Sequence, residues 1–173
     1  RRVGSPLSVK SIAEDLAVDS KTIKRWISIL DSLYYCFQIS PYGSPKIRAV
    51  KKEQKLYLWD WSQIEEQGTR FENMIACQLL KFCHFHEDVN GDKMELRYIR
   101  DTDRREVDFV LIKNRKPLFA VECKLSERSV SPHVLYFKER TNIPVFYQVS
   151  LKESERQIQE GIICTSFARF CQY

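Results

Sequence analysis

Apolar and polar positions along the chain follow a helical period in some stretches and a two-residue period in others, and the switches divide it into elements. In SVKSIAEDLAVDSKTIKRWISILDSL, residues 8–33, Ile12 and Leu16 give a first helix an apolar edge, Ala17-Val18-Asp19 breaks it, and Asp19 or Ser20 can cap a second. On that second helix Ile23, Trp26, Ile27, Leu30 and Leu33 share one face, with Ser20, Lys21, Lys24, Arg25 and Ser28 left outside, as in a helix-turn-helix. Tyr34 to Ile39 and Lys55 to Trp59 then read as strands around SPYGSP and the basic run KIRAVKK. Two helices followed by a hairpin predict a small winged-helix domain over residues 1–62.

The stretch WDWSQIEEQG marks a boundary, and a second domain is expected over 63–173. It opens on a helix from Thr69 to Phe85, in which Phe71, Phe82, Ile75, Leu79, Cys83 and Ala76 form one arc at about 100° per residue. Glu72 falls inside that arc, where a carboxylate needs a partner. Strands are predicted at Glu95 to Arg100, Glu106 to Ile112 and Pro117 to Lys124, joined by the short polar turns DTDR and KNRK. A helix over Pro132 to Arg140, a buried strand over Pro144 to Ser150, a short helix and a last strand over Gly161 to Cys164 complete the pattern. The expected class is α/β, of the α+β kind, with a mixed sheet.

Composition narrows the function. The chain has 173 residues, 43% of them hydrophobic, enough to bury a core. No apolar run approaches the roughly 20 residues that span a bilayer, and the chain opens on Arg1-Arg2, so a cytoplasmic protein is expected. The six cysteines form no C-x-x-C pair and sit mostly among apolar residues, as reduced thiols do; Cys83-His84-Phe85-His86 lacks a second ligand cluster and is assigned no zinc. Residues 1–62 hold 11 Lys and Arg against 6 Asp and Glu, a net +5, whereas 63–173 hold 17 against 17. That concentration of charge fits either contact with a polyanion or a solvated basic face. If DNA is the partner, Lys21, Lys24 and Arg25 are the groove-facing candidates, and Lys46, Arg48, Lys51 and Lys52 would meet phosphates from the wing.

Two predicted strands carry charges where hydrophobes are expected. By the alternation of a strand, Glu106 and Asp108 point away from Val107, Phe109 and Leu111, and Glu122 and Lys124 away from Phe119, Val121 and Cys123. Paired as a hairpin, the strands would bring Asp108, Glu122 and Lys124 together. Two carboxylates about 5 Å apart repel by roughly 3 kcal/mol at an effective dielectric of about 20. A divalent cation removes the conflict, and carboxylates, a backbone carbonyl and waters suit Mg²⁺. Lys124, kept charged by its acidic neighbours, would position water and stabilise a transition state rather than act as a free base. A surface ion pair, Glu122 with Lys124 or Asp108 with a nearby Arg, is the plainer alternative, and Glu106 is open between the metal and Arg104 or Arg105.

Helix with Glu72, strand, strand with Glu106-Val107-Asp108, strand with Glu122-Cys123-Lys124, helix, strand resembles the PD-(D/E)xK nuclease superfamily, the restriction-endonuclease-like fold, with Val107 in place of its usual proline. The winged helix, KLYLWD, TRFENMIACQLL, REVDFVL and FAVECK in this order look like the C-terminal region of archaeal- and bacterial-type AAA+ ATPases, a domain of unknown function. The resemblance implies Mg²⁺, or Mn²⁺, held by Asp108, Glu122 and the Cys123 backbone carbonyl, with Lys124 and Glu72 completing the catalytic set. It further implies an excised C-terminal portion: the chain contains no G-x-x-x-x-G-K-[ST], so a P-loop ATPase domain of the same protein is the expected partner, alongside DNA. Two activities remain open: a Mg²⁺-dependent nuclease delivered to DNA by its winged helix, and a non-catalytic nucleic-acid- or protein-binding module with a vestigial cation site.

Overall fold

A computed structural model of the chain describes residues 3–43, 53–126, 129–152 and 157–172. Its order is α1 (Val9–Asp15), α2 (Ser20–Ser32), β1 (Cys36–Pro41), β2 (Lys55–Leu58), a 3-10 turn at Trp61–Gln63, α3 (Gln67–Asn90), β3 (Met94–Arg100), β4 (Glu106–Lys113), β5 (Lys116–Lys124), α4 (Pro132–Arg140), β6 (Phe146–Ser150), β7 (Gln157–Gln159), β8 (Ile162–Ser166) and α5 (Phe167–Phe170). The strands form one mixed sheet in the order β2-β1-β3-β4-β5-β6-β8-β7. Among the described residues, no helix is long and apolar enough to cross a membrane.

Local chemistry fixes the helix ends. The Asp19 carboxylate accepts from the amides of Lys21 and Thr22 at 2.6 and 3.0 Å, which starts α2. Glu66 does the same for α3 through Gly68 and Thr69, and Gly91 ends that helix in the left-handed region at φ 68°. Asn114 and Arg115, with φ of 51° and 67°, make the two-residue turn between β4 and β5, where both central residues must be left-handed.

Two cores flank the sheet. Phe71, Ile75, Leu79 and Cys83 of α3 pack against Phe109, Leu111 and Val121 on one face. Val134 and Phe137 of α4 pack against Val107, Val110, Ala120 and Phe146 on the other. The predicted face of β4 therefore needs correction: Val107 does not share a side with Phe109 and Leu111. The cause is a bulge. Arg97 pairs with Val110 and Ile99 with Val107, so Tyr98 alone opposes both Asp108 and Phe109.

Three further expectations change. The segment read as a short helix before the last strand holds β7, turned onto β8 by Glu160 and Gly161 at φ 41° and 80°. The apolar face expected on α2 is only partly covered: Ile23 is buried, but Trp26, Leu30 and Leu33 are exposed. The β1–β2 hairpin, read as a wing, also joins the main sheet, because Ser40 and Pro41 of β1 pair in parallel with Arg97 and Tyr98 of β3. Lys46, Arg48, Lys51 and Lys52 lie outside the described residues.

Beyond the hairpin, the buried Asn73 side chain helps fasten α3 to β2. Asn73 accepts from Leu58 N at 2.8 Å and donates to Leu58 O at 2.6 Å, much as a neighbouring strand would. Asn73→Ala leaves the Leu58 amide unpaired and Leu58 O with only the weaker Cys77 thiol, and is expected to destabilise the fold by about 1–3 kcal/mol, measured by urea denaturation. A loss below about 0.5 kcal/mol would show that water replaces the amide.

Candidate metal centre

The bulge in β4 and the end of β5 bring the acids together. Past the Phe109–Val121 pair no further β4–β5 register pair forms, and Asp108 turns across the gap to accept from the Cys123 amide at 2.8 Å. Glu122 and Lys124 follow on β5, with Glu122 Oε1 2.5 Å from Lys124 Nζ. These residues line a cleft of about 270 Å³ together with Glu72, Phe71 and the first turn of α3. The structure therefore gathers four of the predicted residues, Glu72, Asp108, Glu122 and Lys124, around one hollow, with Cys123 on its wall.

Glu72 occupies the buried arc foreseen for it, and its partners come from β2. Tyr57 donates to Glu72 Oε1 at 2.7 Å, and Lys55 Nζ lies 3.4 Å from the same oxygen. Lys55 is also 2.5 Å from Glu106 Oε1, and Arg100 holds the other Glu106 oxygen at 2.8 Å. Glu106 is thus committed to Lys55 and Arg100 rather than to the expected Arg104 or Arg105, of which Arg105 instead pairs with Asp101, and it does not line the cleft. The sequence reading missed Lys55 and Tyr57. Their signal is their place two apart in KLYL, so that a charge and a phenol share one face of an otherwise apolar strand.

Electrostatics mark the cleft as a place where carboxyls resist ionisation. Burial raises Glu122 to about 8, reinforced by Asp108 and opposed by Lys124. Burial likewise raises Glu72 to about 7, with Asp108 reinforcing and Lys55 and Tyr57 opposing. Asp108 is raised by burial, against the pull of Lys55 and the Cys123 amide. Burial pulls Lys124 down, but the Glu122 and Asp108 carboxylates together carry it upward. It stays an ammonium at neutral pH.

The donor set fits a hard divalent cation. Glu122 is 4% exposed, and its Oε2 is buried without a hydrogen-bond partner. Among the described residues no three His, Cys, Asp or Glu side chains form a ready cage. Mg²⁺ is commonly held by one or two carboxylates with waters completing the shell, which Asp108 and Glu122 can supply.

An α/β protein with a mixed sheet and a cleft of buried acids and a lysine is the class that these features define. The chain belongs to the DUF4143 family, a domain of unknown function whose model matches residues 67–170. Residues 1–64 match a second domain of unknown function, DUF8612. No curated protein matches the chain. Among solved structures it is similar to a refined half-complex from a tetradecameric assembly of Thermococcus gammatolerans McrB AAA+ hexamers with bound McrC, at 15% identity and a TM-score of 0.37. That likeness covers 59% of this chain and 28% of the other.

Because Glu72, Asp108 and Glu122 are all raised, the metal-free folded chain binds more protons than the unfolded chain between the ordinary value of 4.5 and about 8. Stability should be fullest below that ordinary value and fall as pH rises through the folded one. Denaturant midpoints measured in chelator are expected to drop across this window, less steeply for Glu122→Gln. A flat or rising profile would contradict the shared burial.

Proposed function

We propose that the chain is a divalent-cation-dependent DNA phosphodiester hydrolase with a restriction-endonuclease-like core. In this reading residues 1–62 act as a DNA-binding winged helix and a P-loop ATPase domain of the same protein governs the site. The observation that carries it is the buried, unpartnered Oε2 of Glu122 in a cleft shared with Asp108 and Lys124. The antiparallel run β3-β4-β5, followed by α4 and the parallel strand β6, supports the fold assignment.

In the proposed reaction Asp108 and Glu122 would hold Mg²⁺ or Mn²⁺, with the Cys123 carbonyl as a further donor. The bound ion supplies Lewis-acid polarisation of the phosphoryl group and a more acidic water. Lys124, protonated and 40% exposed at the cleft, orients the attacking water and meets the charge that grows on the phosphoryl oxygens. Glu72, held by Tyr57 and Lys55, shapes the wall behind them. Lys21, Lys24 and Arg25 are exposed on α2, open to phosphate contact.

A second reading has its own observation. Trp26, Ile29, Leu30, Leu33 and Tyr34 are 38–75% exposed on and just after α2, more apolar surface than a DNA-facing helix needs. It makes the N-terminal helices a protein adaptor and leaves the cation site regulatory.

Plasmid and branched-DNA cleavage in Mg²⁺ or Mn²⁺ separates the two. Asp108→Ala and Lys124→Ala are each expected to lower the rate on the order of 100-fold or more. Cleavage that persists in both variants belongs to another site or protein. Charge reversal at Lys21, Lys24 and Arg25 should weaken DNA binding and flatten its salt dependence; unchanged affinity assigns α2 to a protein contact.

A further inference from the structure

Lys55 has a place in the acid cluster that the hydrolytic reading does not use. Its side chain is 1% exposed, and an ammonium so deeply buried is costly unless it is paired. It is paired twice, to Glu106 at 2.5 Å and Glu72 at 3.4 Å, and it lies 5.3 Å from the centre of the Tyr98 ring. Asp108 also feels its charge. The ammonium thus sits behind the cleft wall rather than in its lining, among carboxylates that would otherwise repel one another.

The surroundings hold it there. Lys55 pairs with Ile39 in the hairpin and forms a bridge with Pro6. Gly4, at φ 73°, donates its amide to Leu56 O and comes so close to Glu72 that an added Cβ would lie 3.1 Å from Oε1. The backbone of residues 4–6 therefore closes over Glu72 and β2. Residues 1–64 supply the cation, whereas Glu72, Glu106 and Asp108 lie within 67–170, so the cluster is complete only when both matched segments are present.

A pair of divalent ions about 4 Å apart, shared among several carboxylates, is one recurring arrangement for phosphodiester cleavage. Here four carboxylates are available, Glu72, Glu106, Asp108 and Glu122, but two of them are already committed to an ammonium. Resting on the metal-site reading above, we propose that Lys55 is a positioning residue that stands where a second divalent cation would be held. It reserves Glu72 and Glu106 and limits the cleft to a single metal ion on Asp108 and Glu122.

The test counts bound Mn²⁺ per chain by the loss of the free-ion electron paramagnetic resonance signal, with folding followed by circular dichroism. The wild-type protein should bind one ion, and Lys55→Arg, which keeps the charge, should bind one. Lys55→Met, which removes the shared ammonium and leaves Glu106 its contact with Arg100 and Glu72 its hydrogen bond from Tyr57, should bind two and gain more thermal stability from Mn²⁺ than the wild type does. Lys55→Gln is carried in parallel, so that a folding defect of the methionine variant leaves the count readable. A single ion in both neutral variants overturns the role of Lys55 while leaving the metal site intact. Two ions in the wild type or in Lys55→Arg also overturn it. A wild-type chain that binds no Mn²⁺ overturns the metal-site reading itself, and this proposal with it.

Discussion

The burial of Lys55 against Glu72 and Glu106 is the constraint on which the rest of the structure depends. A buried ammonium and buried carboxylates each lose hydration, and they are tolerable together only in a fixed geometry. That geometry requires β2, α3 and β4 to be in place at once. Asn73 on Leu58 and Tyr57 on Glu72 add hydrogen bonds between the same elements. The short strand KLYL is thereby both a member of the sheet and the wall behind the acids.

The other half of the cluster faces the cleft and is less well compensated. Lys124 balances Glu122 through one oxygen only, and Asp108 relies on a backbone amide and the distant charge of Lys55. The bulge at Asp108 and Phe109 is what allows this: it interrupts the alternation of β4, so that an acid stands at the end of the β4–β5 pairing while Phe109 still joins the core beneath α3. Buried carboxyls that hold their protons to unusually high pH inside a small hollow can exchange them for a cation with a high charge density.

Much of this was legible in the sequence. The helical period of residues 69–85 exposed Glu72 as a charge on a buried face, because apolar neighbours at helical spacing leave little doubt about orientation. Asp108, Glu122 and Lys124 stood out because they interrupt strands that are otherwise apolar. The β3-β4-β5 meander and α4 match their expected bounds to within one residue, whereas α3 runs on to Asn90, five residues past its expected end. What the sequence does not show depends on contacts between distant segments. Nothing local to KLYL says that its lysine will meet an acid 17 positions later on α3. The side taken by Val107 depends on a bulge, which adds one residue without changing composition. The exposed side of α2 is likewise set by what packs against it, and its own apolar period cannot report that.

The most direct measurement is a crystal structure of the protein soaked in Mn²⁺, with the ion located by its anomalous scattering. The account predicts a peak in the cleft within about 2.0–2.2 Å of oxygens from both Asp108 and Glu122. A cleft without a peak, or an ion bound by surface groups elsewhere, would contradict it.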